Sequence, residues 1–228
     1  MKHIVARSKV WGGTQLIEAL SKRSDHEFIL VDQKSSLTSD YLGELKPRYI
    51  FFPHWSHIIP SELYEHHECI IFHMTDLPFG RGGSPLQNLI SRGIYETQIS
   101  ALRCVKELDA GPIYFKRPLS LHGTAQEIYM RANVIIEDMI ISLIENSPAP
   151  QEQSGEPVVF KRRNKDEGNI DKLETIEKVH DYIRMLDADG YPSAFFETEN
   201  LRFEFSRASI REGFILADVV IKRRSDDK

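Results

Sequence analysis

Four short apolar runs dominate the first third of the chain. His3–Ala6, Glu27–Val31, Arg48–Phe52 and Glu68–Phe72 are rich in Ile, Val and Phe and are separated by polar segments. Each has the length and composition of a buried strand. Between the first two, Gly12-Gly13-Thr14 reads as a turn opening a helix over Gln15–Lys22, where Leu16, Ile17 and Leu20 share a face. Strand, helix, strand in this rhythm predicts a mainly parallel sheet covered by helices, an α/β fold. The glycine pair lacks the full spacing of a dinucleotide fingerprint, so it is read as a turn only.

Further along, Gly80-Arg81-Gly82-Gly83-Ser84-Pro85 is a loop opening a helix over Leu86–Arg92. Two β-like runs, Gln98–Val105 and Pro112–Lys116, flank the turn Glu107-Leu108-Asp109-Ala110-Gly111. Thr124 and Glu127 have capping-box spacing, and the helix they start buries Ile128, Ile135, Met139 and Leu143. Pro148 to Pro157 is polar and proline-containing, a linker by composition. Beyond it, Ile176, Val179, Ile183 and Leu186 mark an amphipathic helix, and Ala194–Glu197, Leu201–Phe205 and Phe214–Val220 read as antiparallel strands. The expected organisation is a core over 1–150, a linker over 151–160 and a small α+β subdomain over 161–228.

Composition narrows the partners. The 228 residues carry a formal net charge of −5 and are 41% hydrophobic, ordinary for a soluble protein. No apolar stretch approaches the roughly 18 residues of a membrane span, and no signal peptide is visible at Met1-Lys2-His3. Cys69 and Cys104, alone and far apart, fit reduced thiols in a cytoplasmic protein. The acidity argues against nucleic acid and against a membrane surface. Lys161-Arg162-Arg163 is the local exception, suited to a single phosphate or diphosphate. His54, His57, His66, His67 and His73 are close in sequence, but no metal-ligand spacing links them, so no metal is expected.

His73 follows the apolar run Ile70-Ile71-Phe72, which puts it at the carboxyl end of a strand. Open α/β sheets bind ligands at that edge, although a lone histidine there is also explained as a hydrogen-bonded loop residue. Asp109, in a tight turn between two strand-like runs, is its natural companion: a carboxylate that orients an imidazole managing protons in acyl transfer. No Gly-x-Ser-x-Gly occurs and neither cysteine sits in a reactive context. The nucleophile then belongs to the substrate.

The motifs His73-Met74-Thr75-Asp76-Leu77-Pro78, Gly82-Gly83-Ser84-Pro85 and Asp109-Ala110-Gly111-Pro112-Ile113, in that order, resemble the formyltransferase family that uses 10-formyltetrahydrofolate. That family's pattern is Asn-x-His-x-Ser-Leu-Leu-Pro, a glycine loop, then Asp-x-Gly-x-Ile. Trp55-Ser56-His57-Ile58-Ile59-Pro60 is similar to its pterin-gripping segment, and Phe160-Lys161-Arg162-Arg163 with Tyr191-Pro192-Ser193-Ala194-Phe195 is similar to segments of its sugar-nucleotide branch. The resemblance implies a Rossmann-like core and formyl transfer to an amine. His73 and Asp109 would be catalytic. Trp55, His57, Ile58, Ile59, Leu108 and Asp109 would hold the folate, and Thr75, Asp76, Gly80, Arg81, Gly82, Gly83, Arg162, Arg163 and Tyr191 the acceptor.

Chain length and charge point this reading to a nucleotide-linked amino sugar, such as a UDP-4-amino-4,6-dideoxy sugar of the pseudaminic-acid type, and away from nucleic acid. A homodimer is left open. One departure stands out: where the family has an Asn two residues before the histidine, this chain has Ile71. An aliphatic side chain cannot donate to the formyl oxygen. The alternatives are therefore a non-catalytic folate- or nucleotide-binding protein of the same fold, or a formyltetrahydrofolate hydrolase.

Overall fold

The computed structural model describes residues 1–8, 11 and 15–224; the turn expected at Gly12-Gly13-Thr14 lies outside them. The chain divides into two compact units. Residues 1–82, 97–119 and 129–159 make the first; residues 83–96, 120–128 and those from 160 onward make the second. The second unit therefore takes two excursions from the amino-terminal part of the chain as well as the carboxyl-terminal region.

The first unit is built on β1 (Lys2–Ala6), β2 (Glu27–Val31), β3 (Tyr49–Pro53), β4 (Cys69–His73), β5 (Phe79–Gly82), β6 (Glu96–Arg103) and β7 (Ile113–Ser120). All but β5 form one sheet in the order β2-β1-β3-β4-β6-β7. The first four strands of that order are parallel, and β6 runs antiparallel to β4 with His73 opposite Ser100. Ile4, Val5, Ile50, Phe51, Phe52 and Ile70 are fully buried, as strands covered on both faces require. That is why these runs read as continuous apolar stretches rather than as alternating ones. Helices α1 (Gln15–Arg23), α2 (Ser39–Leu45) and α3 (Ser61–Tyr64) supply the connections. The sequence pattern omits α2 and α3 because each buries a single leucine, Leu42 or Leu63.

After α4 (Pro85–Ile90), the long helix α5 (Ala125–Asn146) starts at a reciprocal capping box, in which Thr124 N–H donates to Glu127 Oε2 (2.8 Å) and Glu127 N–H to Thr124 Oγ1 (3.3 Å). Its buried stripe within the first unit is Ala132, Ile136, Met139, Ile140 and Leu143. Ile135, expected on that stripe, is half-buried instead. A helical face advances in steps of three or four, and the step from Ala132 to Ile136 takes the position that Ile135 would have filled.

The second unit carries α6 (Ile176–Leu186) and an antiparallel sheet of β9 (Ala194–Glu197), β10 (Leu201–Arg211) and β11 (Phe214–Arg223); the short strand β8 (Val158–Phe160) precedes them. Thr175 caps α6 by accepting from Lys178 N–H. The buried Arg184 pairs with Asp181 at 2.7 Å and donates to the carbonyls of Leu121 and Gly123. Nε and Nη1 of the buried guanidinium are engaged in this way, while Nη2 has no hydrogen-bond partner among the described residues.

A stack of rings under the amino end of the sheet sets an acid limit on stability. His3 is fully buried, its ring stacked with those of His26, Phe28 and Tyr49, and its Nε2 lies 2.7 Å from His26 Nδ1. Burial first, then the charges of His26, the N-terminal ammonium and Arg48, lower its pKa from 6.5 to about 4. The folded form thus stays neutral where an unfolded histidine protonates. Stability is complete above pH 6.5 and falls as the pH drops through 6.5 towards 4, by about 1.4 kcal/mol per pH unit for this one group. Urea unfolding at pH 7 and pH 5 measures the slope. His3→Phe, which keeps the stacking and removes the titration, is expected to remove about 2 kcal/mol of the loss between pH 7 and pH 5; an equal loss in both proteins would show that His3 does not set the limit.

Candidate active site

The carboxyl end of β4 and the turn between β6 and β7 meet at one place. His73 is the last residue of β4 and is 7% exposed; Asp109 lies in the turn and is 8% exposed. Their Nδ1 and Oδ2 atoms are 3.6 Å apart, an ion-pair distance beyond a direct hydrogen bond. The other ring nitrogen, Nε2, is 2.8 Å from the carbonyl of Gly80, which also accepts from the Thr75 hydroxyl at 3.3 Å. Gly82 N–H donates to Asp109 Oδ2 at 2.9 Å. The carboxylate is therefore held from one side by the glycine strand β5 and faces the imidazole on another.

Asp109 reaches this position through a left-handed backbone, φ +52°. Aspartate tolerates that region better than most residues. Gly111, two residues on, is required for a different reason: a Cβ there would lie 1.9 Å from the carbonyl oxygen of Arg103. The end of β6 and the start of β7 approach so closely, with Arg103 N–H bonded to Pro112 O at 2.9 Å, that no side chain fits between them.

Beside the pair opens a cleft of about 280 Å³. Trp55, His57, Ile58, Ile59, Ile71 and the segment from Leu102 to Asp109 all line it. All the residues expected to hold a folate, namely Trp55, His57, Ile58, Ile59, Leu108 and Asp109, therefore share one cleft. Ile58 and Leu108 are 74% and 58% exposed, unusually open for large aliphatic side chains. The indole Nε1 of Trp55 is buried without a hydrogen-bond partner among the described residues. An apolar cleft with a few polar groups suits a flat heterocycle. Asp109 lines the cleft, whereas His73 stands behind it.

Ile71 is two residues before His73 on β4, so both side chains point to the same face of the sheet. The position where the family pattern has Asn thus faces the cleft with an aliphatic group. Neither neighbour stands in for the missing amide: the Thr75 hydroxyl donates to Gly80 O, and Asp76 accepts from Lys116 Nζ at 2.5 Å. Cys104 also lines the cleft, but burial and the nearby Asp109 carboxylate push its thiol up to about 12, so it stays protonated and is not a nucleophile.

The residues expected to hold the acceptor divide between the units. Thr75, Asp76, Gly80, Arg81 and Gly82 belong to the first, where Gly80 bonds His73, Gly82 bonds Asp109 and Thr75 shares the Gly80 carbonyl. Arg81 is committed to Gln153, with Nε and Nη2 at 3.1 and 2.7 Å from its Oε1. Gly83, Arg162, Arg163 and Tyr191 belong to the second unit. There a Cβ on Gly83 would lie 2.6 Å from Arg162 Cβ, and Arg163 donates to Glu167 O at 2.7 Å and lies over the ring of Tyr182. Tyr191 N–H closes a turn on Ala188 O at 3.1 Å. Among the described residues no group of three or more His, Cys, Asp and Glu side chains could hold a metal, and no helix is long and apolar enough to cross a membrane.

Comparison with known proteins gives this geometry its family. A solved structure called methionyl-tRNA formyltransferase from Clostridium thermocellum is 48% identical, with a TM-score of 0.95 over 98% of this chain and all of that one. The chain belongs to the formyltransferase family. A family model described as the methionyl-tRNA formyltransferase C-terminal domain matches residues 165–222. A methionyl-tRNA formyltransferase from Thermodesulfovibrio yellowstonii is 24% identical over 193 residues, 81% of this chain. The chain spans only 62% of that relative's length.

The same comparisons correct the expected acceptor. The formyltransferase PseJ from Anoxybacillus kamchatkensis, solved with a UDP-linked formamido sugar and tetrahydrofolate, is 16% identical with a TM-score of 0.60, a likeness of fold alone. The nucleotide-linked amino sugar, the pseudaminic-acid assignment and glycan biosynthesis are overturned by the methionyl-tRNA formyltransferase relatives, and so is the exclusion of a nucleic-acid partner. The inference failed because net charge and chain length describe the whole molecule. A nucleic acid responds to the local field of the surface it meets, which a total of −5 does not report.

Proposed function

We propose that this protein is a cytoplasmic enzyme that transfers the formyl group of 10-formyltetrahydrofolate to the α-amino group of methionyl-tRNA. The observation that carries the reading is the buried His73–Asp109 pair at the edge of an apolar cleft, in a chain 48% identical to a protein called methionyl-tRNA formyltransferase. Ile58 and Leu108 would cover the faces of the pterin ring, with Trp55 beside them in the lining of the cleft.

In the transfer the amine's lone pair forms a bond to the formyl carbon, the bond from that carbon to N10 breaks, the amine loses a proton and N10 gains one. The His73–Asp109 pair would conduct this exchange. Asp109 meets the cleft and His73 supplies the titratable ring behind it. Because Ile71 donates nothing, stabilisation of charge on the formyl oxygen falls to backbone N–H groups and to the His73 imidazole. Holding the two substrates in contact provides much of the remaining rate.

The test incubates the protein with 10-formyltetrahydrofolate and methionyl-tRNA, then analyses the released amino acid by mass spectrometry. N-formylmethionine is the expected product. An acceptor that stays unformylated while tetrahydrofolate binds would refute the reading.

A further inference from the structure

Outside the residues singled out by sequence motifs, one side chain uses both of its polar atoms to join the Asp109 turn to strand β5. Gln153 follows an antiparallel bridge in which Gln151 and Ile113 exchange two backbone hydrogen bonds, 2.7 and 2.8 Å. From there its Nε2 donates to the carbonyls of Asp109 (2.9 Å) and Gly111 (2.8 Å), while its Oε1 accepts from Arg81 Nε and Nη2. The orientation of the amide is unambiguous. Reversed, its oxygen would face two carbonyls and its NH₂ a guanidinium.

The consequence falls on Asp109. Its left-handed φ of +52° is intrinsically unfavourable and must be enforced by its surroundings. Gly82 N–H fixes the carboxylate, but the backbone that carries it is gripped at both carbonyls by Gln153. Arg81 in turn fixes Gln153, and it extends from the same strand, β5, that holds the carboxylate. Carboxylate and backbone are thus referenced to one strand, and the Oδ2-to-Nδ1 geometry is set by both.

We propose that Gln153 is a positioning residue for formyl transfer, acting through Asp109 and touching neither substrate. The inference rests on the role given to Asp109 above. Gln153→Ala removes the clamp. Gln153→Glu, of the same shape, keeps an acceptor for Arg81 but removes both donors and sets a negative oxygen against the two carbonyls, so it too releases the turn and serves if the alanine variant folds poorly. Loss of an outer hydrogen-bond partner of this kind costs about 10- to 100-fold.

The expected result is a fall in kcat of that size, with KM for 10-formyltetrahydrofolate within about threefold, and less than a twofold further effect when Gln153→Ala is added to Asp109→Asn. The NMR signals of the His73 ring, assigned with His73→Gln, are expected to move in either Gln153 variant without any substrate present. Unmoved His73 signals, or a full further loss of kcat in the Asp109→Asn background, would overturn the proposal. If the wild-type protein forms no formylmethionyl-tRNA, the acceptor assignment fails, and the ring signals still decide the role of Gln153.

Discussion

Asp109→Asn is expected to lower kcat by about 10³- to 10⁴-fold while leaving the fold intact. Asparagine has the same shape, accepts the Gly82 N–H bond as the aspartate does at 2.9 Å, and is equally at ease at φ +52°. What it lacks is the negative charge facing His73 Nδ1 at 3.6 Å. The imidazole then loses the group that orients it and compensates its charged form. Cleft shape is unchanged, so KM for 10-formyltetrahydrofolate should shift by less than about threefold. Steady-state kinetics with a melting curve on the same sample makes the measurement. A kcat within tenfold of wild type, at unchanged stability, would remove Asp109 from the chemistry.

Gly111→Ala is the second large effect, and it reads out as stability. The new methyl would meet the Arg103 carbonyl oxygen at 1.9 Å, a backbone atom that cannot rotate away. Relief requires the end of β6 and the turn to separate, breaking the Arg103–Pro112 hydrogen bond and the Gln153 contact to Gly111 O. Overpacking against rigid backbone costs about 3 kcal/mol or more. Denaturant unfolding should register that loss, and any folded fraction should have little activity because Asp109 is carried on the displaced segment. Stability within about 1 kcal/mol of wild type would mean that this approach is looser than described. Gly43, with nothing within 4 Å of an added Cβ, is the internal control: Gly43→Ala should not destabilise.

The parallel strands and the amphipathic helices are readable from sequence because burial leaves a periodic or continuous apolar trace. β5 leaves none: Phe79-Gly80-Arg81-Gly82 looks like a loop, and it becomes a strand only through pairing that no local pattern encodes. His73 and Asp109 are legible by position, one closing an apolar run and the other in a tight turn between two. Gln153 is not. It is a polar residue in a proline-containing stretch that composition assigns to a linker, and its partners are backbone carbonyls, which carry no signature in the side chains. The acceptor was misread for a related reason. In the sequence the segment after the linker resembles the sugar-nucleotide branch and whole-chain charge and length argue the same way, whereas the likeness of residues 165–222 to a methionyl-tRNA formyltransferase C-terminal domain comes from the comparison alone.

Ile71 makes the stoichiometry of transfer the sharpest issue, because a site short of one donor could release formate to water instead of passing it to an amine. A single-turnover experiment with enzyme in excess over 10-formyltetrahydrofolate, in the presence of methionyl-tRNA, addresses this directly. Tetrahydrofolate and N-formylmethionyl-tRNA should appear together, one for one, with no free formate. Formate accumulating with tetrahydrofolate while the aminoacyl-tRNA stays unmodified would contradict the account.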